Sequence, residues 1–188
     1  KSHASGKRLY SARIIPVRGS WLDFEFDIKD ILYVRIDRRR KLPVSVLLKA
    51  LGYTDEELLN EFYHTDVVHR DGDHYAIAFN PLTFASQRLT TDVISPVDGT
   101  VVARKGKKVT KTLAKKIESL GIRSMAIDEE DLHGRFFSKD VVNEATGEIV
   151  ARGNDTVTPE VLKTFAEAGV SSFELLFIDG VSYTDSFR

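Results

Sequence analysis

The chain has 188 residues, 42% hydrophobic and 29% charged, enough apolar content to bury a core in one domain or two small ones and too much for a disordered or fibrous protein. It contains no cysteine, which excludes disulfides, thiolate metal sites and thiol nucleophiles and fits a reducing cytoplasm. No apolar run is long enough to span a bilayer and the start has no hydrophobic signal core, so a soluble, unexported chain with no membrane partner is expected.

The net charge of −1 hides an asymmetry. Residues 1–50 carry 12 Lys/Arg against 5 Asp/Glu, and residues 51–188 carry 15 against 23. A basic block beside an acidic one predicts that the first faces a polyanion. The chain starts at Lys1 without a methionine and ends on the polar stretch YTDSFR, which closes no recognisable element. An excised segment of a longer protein is therefore expected, with KSHASG at its start flexible.

In chain order, ARIIPV predicts a short strand interrupted by Pro16, RGS a turn, WLDFEF a strand, DIKD at Asp27–Asp30 a turn and ILYVRI a third strand. Period-two alternation puts Leu22, Phe24 and Phe26 on one face and Trp21, Asp23, Glu25 and Asp27 on the other. Leu32, Val34 and Ile36 likewise oppose Tyr33, Arg35 and Asp37. Pairing of these strands yields a sheet with an apolar underside and a polar face carrying Trp21, Tyr33 and Arg35.

Pro43 suits the first turn of a helix whose apolar positions are Val46, Leu47, Ala50 and Leu51 and whose stop is Gly52. Thr54 and Glu57 then form a capping box opening a second helix, in which Leu58, Leu59 and Phe62 face the first. The four cations Arg38, Arg39, Arg40 and Lys41 sit on the connection between strand and helix. VVHRDGDHYAIAF reads as a hairpin turning at Asp71-Gly72.

An internal repeat follows. DGTVVARKGKKVTKTLAKKIESLGI from Asp98 aligns without a gap with TGEIVARGNDTVTPEVLKTFAEAGV from Thr146, at a constant offset of 48. Each copy predicts a strand, a turn, a helix capped by Thr110 or Thr158, a glycine stop at Gly121 or Gly169, and a further strand. This is a duplicated β-α-β unit whose copies pack together to cover faces neither could bury alone. The fold class expected is α+β: a β-meander with two short helices, followed by the duplicated module.

Several constellations invite chemistry and have plainer explanations. Asp23, Glu25 and Asp27 resemble an oxygen-rich metal set, but alternation in a half-buried strand produces the same spacing. His64, His69 and His74 recur every five residues, a spacing that fits neither a helical face nor one strand face, so they are taken as hairpin surface. RKGKKVTKT lacks Walker spacing and reads as a turn before a capped helix, with a secondary anion contact through Lys105, Lys107 and Lys108 as the alternative. No nucleophile stands with a base and an orienting group, which removes support from an independent hydrolase.

RIDRRRKLP is more informative. Three adjacent arginines suit bidentate phosphate contacts, and beside an outward tryptophan they compose a single-strand device in which cations hold the backbone and a ring stacks on a base. The competing reading packs Trp21 beneath a neighbouring segment, and these residues alone leave the two balanced.

ARIIPVRGSWLDFEFDIKDILYVRIDRRRKLPVSVLLKALGYTDEELLNEFY strongly resembles the lobe of the β subunit of bacterial DNA-directed RNA polymerase, with RGSWLDFEFD followed by VRIDRRRKLP as the specific motifs. The resemblance covers residues 5–63 almost continuously. Residues 65–185 are similar, more loosely, to the lineage-specific insertion of proteobacterial-type β subunits, a β-β′ module. The implied organisation is 1–64 for the N-terminal part of the lobe, 65–185 for the insertion with its repeat at 98–122 and 146–170, and 186–188 for the return to the lobe.

The resemblance implies transcription. It implies that the lobe lines the DNA cleft against the non-template strand and downstream duplex, and that Trp21 stacks on a non-template base. Arg38, Arg39, Arg40 and Lys41 carry over as backbone contacts, and Arg18 and Arg35 as their neighbours. It implies no catalytic residue, metal or cofactor in this segment, since the catalytic Mg²⁺ belongs to the β′ subunit. The isolated chain is expected to be no enzyme, although part of a nucleotidyltransferase. Implied partners are DNA, the β′, α and ω subunits and σ factor, in a cytoplasmic, nucleoid-associated complex. The rival reading is a protein-interaction module whose insertion docks regulators or phage proteins.

Overall fold

The computed structural model describes residues 4–85 and 87–178. The expected flexible start at 1–3, and the polar end with its return at 186–188, lie outside the described residues. The fold is α+β, and its described residues form two compact units: residues up to Tyr63 with Ile178, and His64–Phe177.

In the first unit, β1 (Ser11–Ile14), β2 (Leu22–Phe26), β3 (Leu32–Ile36) and β4 (Leu42–Pro43) make an antiparallel sheet in sequence order. Arg13 lies opposite Asp23 and Asp23 opposite Arg35, so all three share a face with Glu25 and Tyr33. The other face carries Leu22, Phe24, Phe26, Leu32 and Val34; Val34 is buried and its neighbours are half-buried. Asp27 makes the β2–β3 turn by accepting from the backbone N–H groups of Lys29 (2.8 Å) and Ile31 (3.0 Å).

α1 (Val44–Ala50) and α2 (Asp55–Phe62) follow. Pro43 is not the first helical residue but the N-cap, because it also pairs with Tyr33 as part of β4. That tether fixes the rotation of α1 so that Val44 is buried, while Val46 and Leu51, expected on the apolar face, are 48% and 70% exposed. The capping box of α2 forms as expected. Glu57 N–H donates to the Thr54 hydroxyl at 3.2 Å, Thr54 N–H donates to the Glu57 carboxylate at 2.8 Å, and Leu58 and Leu59 are buried.

The second unit is built around a hairpin of β5 (Thr65–Asp71) and β6 (His74–Ala78). Its two-residue loop is Gly72-Asp73 rather than Asp71-Gly72: Asp71 and His74 are the last pair, and Gly72 takes φ +61 at the first loop position, where a side chain would be strained. The chain then runs through α3 (Pro81–Phe84), β7 (Val93–Ile94), β8 (Val101–Ala103), α4 (Lys111–Ser119) and β9 (Ser124–Ile127). A 3₁₀ turn at Glu129–Asp131 leads to β10 (Val141–Val142), β11 (Ile149–Ala151), α5 (Pro159–Glu167) and β12 (Ser172–Leu176).

Both copies of the repeat keep the expected order of strand, capped helix and strand. Thr110 accepts from Leu113 N–H (3.2 Å) and Thr158 from Val161 N–H (3.4 Å). The unit is nevertheless not a β-α-β crossover within one sheet. β8 pairs with β7 in a small hairpin, β11 with β10 in another, and β9 and β12 add to opposite edges of the central hairpin in the order β12-β5-β6-β9.

The repeat also begins earlier than residue 98. Lys105 N–H donates to Asp92 (2.6 Å) and, 48 residues on, Gly153 N–H donates to Asp140 (2.7 Å). Gly106 N–H meets Leu89 C=O as Asn154 N–H meets Phe137 C=O, and Val109 N–H meets Gln87 C=O as Val157 N–H meets Arg135 C=O.

One continuous core serves both copies. Leu113, Ala114, Ile117, Met125 and Ile127 from the first meet Leu162, Phe165, Phe173 and Leu175 from the second. The rings of Phe137, Phe165 and Phe173 pack pairwise with centroids 5.2–5.8 Å apart, an arrangement that adds about 0.5–1.5 kcal/mol per pair to area burial.

Candidate nucleic-acid interface

The polar face of the first sheet is organised by the chain just before β2 and just after β3. Trp21 stands immediately ahead of β2 and opposite Asp37. Trp21 N–H donates to the Asp37 carboxylate at 2.8 Å, and Asp37 N–H donates to Trp21 C=O at 2.9 Å. The indole is 36% exposed.

Asp37 and Arg38 take φ +50 and +60, and Arg39 N–H closes on Ile36 C=O at 3.1 Å, which makes Ile36–Arg39 a turn of the I′ kind. Aspartate tolerates that conformation; an arginine there costs about 1–2 kcal/mol. The strained turn aims Arg38 at the tryptophan, with its guanidinium carbon 5.5 Å from the ring centroid.

A second guanidinium reaches the ring at the same distance, from Arg13 on β1. Sequence reasoning missed Arg13, because only the register of β1 on β2 reveals it. Arg13 also hydrogen-bonds Asp23. Asp23 is thereby held below the usual carboxylate range, first by that hydrogen bond, which outweighs the opposing effect of partial burial with smaller help from the charges of Arg13, Arg38 and Arg35. Arg13 is raised in return by its bond to Asp23. Asp37 is lowered too, mainly by the Ser20 side chain and then by Trp21 N–H.

The carboxylates on this face are therefore engaged rather than simply solvated. Glu25 accepts from Arg35 at 3.0 Å, Asp23 from Arg13, and Asp27 holds its turn. Lys41 lies with its ammonium 4.1 Å from the Tyr33 ring centroid. Arg39 and Arg40 are exposed in the β3–β4 connection, and Arg18 is exposed in the bend before Trp21.

The structure thus gathers Trp21, Arg13 and Arg38 in one cluster and Tyr33 and Lys41 in a second, while Arg35 is committed to Glu25. The histidines do not converge: His69 and His74 are exposed on the hairpin, His64 offers its carbonyl to Phe177 N–H, and no metal-binding group of three or more such side chains occurs among the described residues.

Electrostatically, the aromatic is approached by cations from two different elements, and of the nearby acids Asp23 is engaged by one of those cations, Arg13, and Glu25 by Arg35. An exposed cation–π contact contributes about 0.5–1 kcal/mol, and base–aromatic stacking about 1–3 kcal/mol. A base can therefore compete with an arginine for the ring and leave the displaced guanidinium beside its phosphate.

Comparison with known proteins places this chain in a class. Residues 1–92 match the family described as RNA polymerase Rpb2, domain 2. The chain is 49% identical over its full length to the DNA-directed RNA polymerase subunit beta of Desulfotalea psychrophila and 53% identical to that of Geotalea daltonii, in each case covering 14% of the relative. Over 97% of its length it is 52% identical to the subunit beta of Bdellovibrio bacteriovorus, covering 13% of it. The chain belongs to the β-subunit family of DNA-directed RNA polymerases, as a segment of the lobe. It spans about one seventh of the length of the relatives it matches.

Proposed function

We propose that this segment contributes a single-strand contact to a transcribing polymerase: Trp21 stacks on a non-template base while Arg13 and Arg38 neutralise the adjoining backbone. Arg39, Arg40, Lys41 and Arg18 extend the cationic margin towards the non-template strand and downstream duplex, and Arg35 positions the face through Glu25. The observation that carries the reading is the partly exposed indole of Trp21, with its backbone pinned by Asp37 and two guanidinium groups 5.5 Å from its ring centroid.

The segment supplies no catalytic group in this reading. Nucleotidyl transfer, and the Mg²⁺ it uses, belong to the β′ subunit of the assembled enzyme. The partners are DNA, β′, α, ω and σ, in a nucleoid-associated cytoplasmic complex. A second role for the insertion as a docking platform for regulators is favoured by aliphatic side chains exposed at matching positions of its two hairpins, Ile94 with Val142 and Val101 with Ile149, each between 42% and 57% exposed.

The test is made in the assembled polymerase. A photo-crosslinking residue replacing Trp21 should capture a non-template base in a promoter open complex, and Trp21→Ala should flatten the enzyme's base preference at that position while basal synthesis persists. Crosslinks to protein only, or an unchanged base preference, would overturn the reading.

A further inference from the structure

The duplicated module contains its own control. The two copies share backbone, caps and core, yet residues 88–123 carry nine Lys/Arg against three Asp/Glu, whereas residues 136–171 carry three against six. All nine cations of the first copy are exposed. Of these, Lys105 is ion-paired, with Asp128 at 3.2 Å. Solvating the module does not require this charge, because the second copy is solvated without it.

Folding does not require it either, since the second copy shows what the fold prefers at the same places. Where the first has Lys107, the second has Asp155, whose carboxylate accepts from Arg152 N–H at 3.1 Å and braces the turn. Where the first has Lys111 and Thr112, the second has Pro159 at the favoured opening position and Glu160, an acid suited to the positive end of a helix. The α4 helix has no acid in its first turn, and Lys111 and Lys115 repel one another at i,i+4 spacing, about 6 Å apart along one face. Lys107 and Lys111 therefore stand at a cost of several tenths of a kcal/mol each relative to Asp155 and Pro159 in the sister copy, while Lys115 is kept there as Lys163.

We infer that the first copy presents a docking surface for the phosphate backbone of duplex DNA, formed by Arg88, Lys107, Lys108, Lys111, Lys115 and Lys116. Backbone pairing assembles it. Arg88 and Lys108 are bridge partners, the Arg88 guanidinium donates to Gly106 C=O at 2.9 Å, and the turn carrying Lys107 and Lys108 leads directly into α4.

Two features select duplex over other anions. Lysines dominate, as fits point contacts to a regular phosphate array rather than bidentate reading of individual groups. Residues 88–123 contain no Phe, Tyr or Trp, so there is no stacking platform of the kind single-strand binders use. This goes beyond the Trp21 reading, because it concerns the other unit and the opposite mode of contact.

The test grafts the second copy's residues onto the first. In the full chain, Lys107→Asp, Lys108→Thr and Lys116→Thr introduce what the fold already accepts 48 residues later. Binding of a fluorescent 20-base-pair duplex by anisotropy should weaken at least tenfold near 0.1 M salt, and the slope of log affinity against log salt should fall by about 2–3, at roughly 0.9 per lost phosphate contact. A charge-matched control, Lys29→Thr with Arg152→Thr and Lys163→Asp, should stay within about twofold of the parent. Lys→Gln at the same three positions repeats the measurement if the graft unfolds.

Trp21→Ala should leave duplex binding untouched while weakening single-strand binding, so the two readings fail separately. Equal weakening by graft and control, an unchanged salt slope, or tighter binding of a poly-glutamate peptide than of duplex would each overturn the proposal.

Discussion

The two units use their residues in opposite ways. The module of residues 64–177 closes one continuous core in which Phe137, Phe165, Leu132, Ile117 and Leu175 are sealed from solvent. In the first unit the buried apolar residues are Val34, Val44, Leu58, Leu59 and Tyr63, and one side of its sheet holds charged pairs around an indole. One region is built for stability and varies its surface between copies; the other spends its surface on a single arrangement and keeps a small core. Chemistry worth testing therefore lies where packing leaves side chains available.

That contrast breaks or holds most sharply on core deletion. Phe165→Ala removes a side chain with no exposed surface and rings on two sides, and should cost about 3–5 kcal/mol. Trp21 is the only tryptophan in the chain, so its fluorescence reports the first unit while circular dichroism reports both. In urea, Phe165→Ala should shift the dichroism transition and leave the fluorescence transition in place. Leu58→Ala, at about 2–5 kcal/mol, should shift the fluorescence transition and only the first unit's share of the dichroism change. Identical shifts by both probes for either variant would show one cooperative body and dissolve the contrast.

A smaller effect distinguishes strain held for function from strain inherited by the fold. Arg38 sits at φ +60, where glycine is at ease. Arg38→Gly should recover about 1–2 kcal/mol in the folded state, less the roughly 0.4–1 kcal/mol that the freer unfolded chain takes back, so its urea midpoint should equal or exceed the parent's. The same variant removes one of the two cations at the indole and should weaken single-strand binding. A clear loss of stability would mean that the guanidinium, rather than the turn, holds the loop together.

How much of this was legible in the sequence depends on whether a feature is local. The capping box at Thr54–Glu57, the caps at Thr110 and Thr158 and the glycine stops are set within four residues, and they stand where their spacing put them. The alternation in WLDFEF correctly set Trp21 on the face of the acids. What failed was rotation and register. The apolar face of α1 was misplaced because β4 pins Pro43 to Tyr33, a contact 10 positions apart in sequence. Arg13 escaped because nothing local says that β1 pairs on β2 with Ile14 opposite Leu22, the register that sets Arg13 opposite Asp23. The β-α-β reading failed because strand order was visible and sheet membership was not. The earlier start of the repeat was visible, in Asp92-Val93-Ile94 against Asp140-Val141-Val142 at the same offset of 48.

The smallest prediction concerns a carboxylate that belongs to the first unit's modest stability. Glu57 is held below its ordinary value of 4.5, chiefly by Thr54 N–H and then by the Thr54 hydroxyl. A carboxyl whose folded value is depressed binds its proton more readily in the unfolded chain. Its stabilising contribution is therefore complete above about pH 4.5 and is lost as pH falls through the lower folded value. Glu57→Gln keeps an acceptor for the capping box but has no charge to lose. Followed by Trp21 fluorescence, the parent should be the more stable at pH 6, and the gap to Glu57→Gln should close towards pH 3. A gap that stays constant with pH would place the cap's strength in hydrogen-bond geometry alone. A gap seen equally in a probe of residues 64–177 would tie the α2 cap to the other core as well.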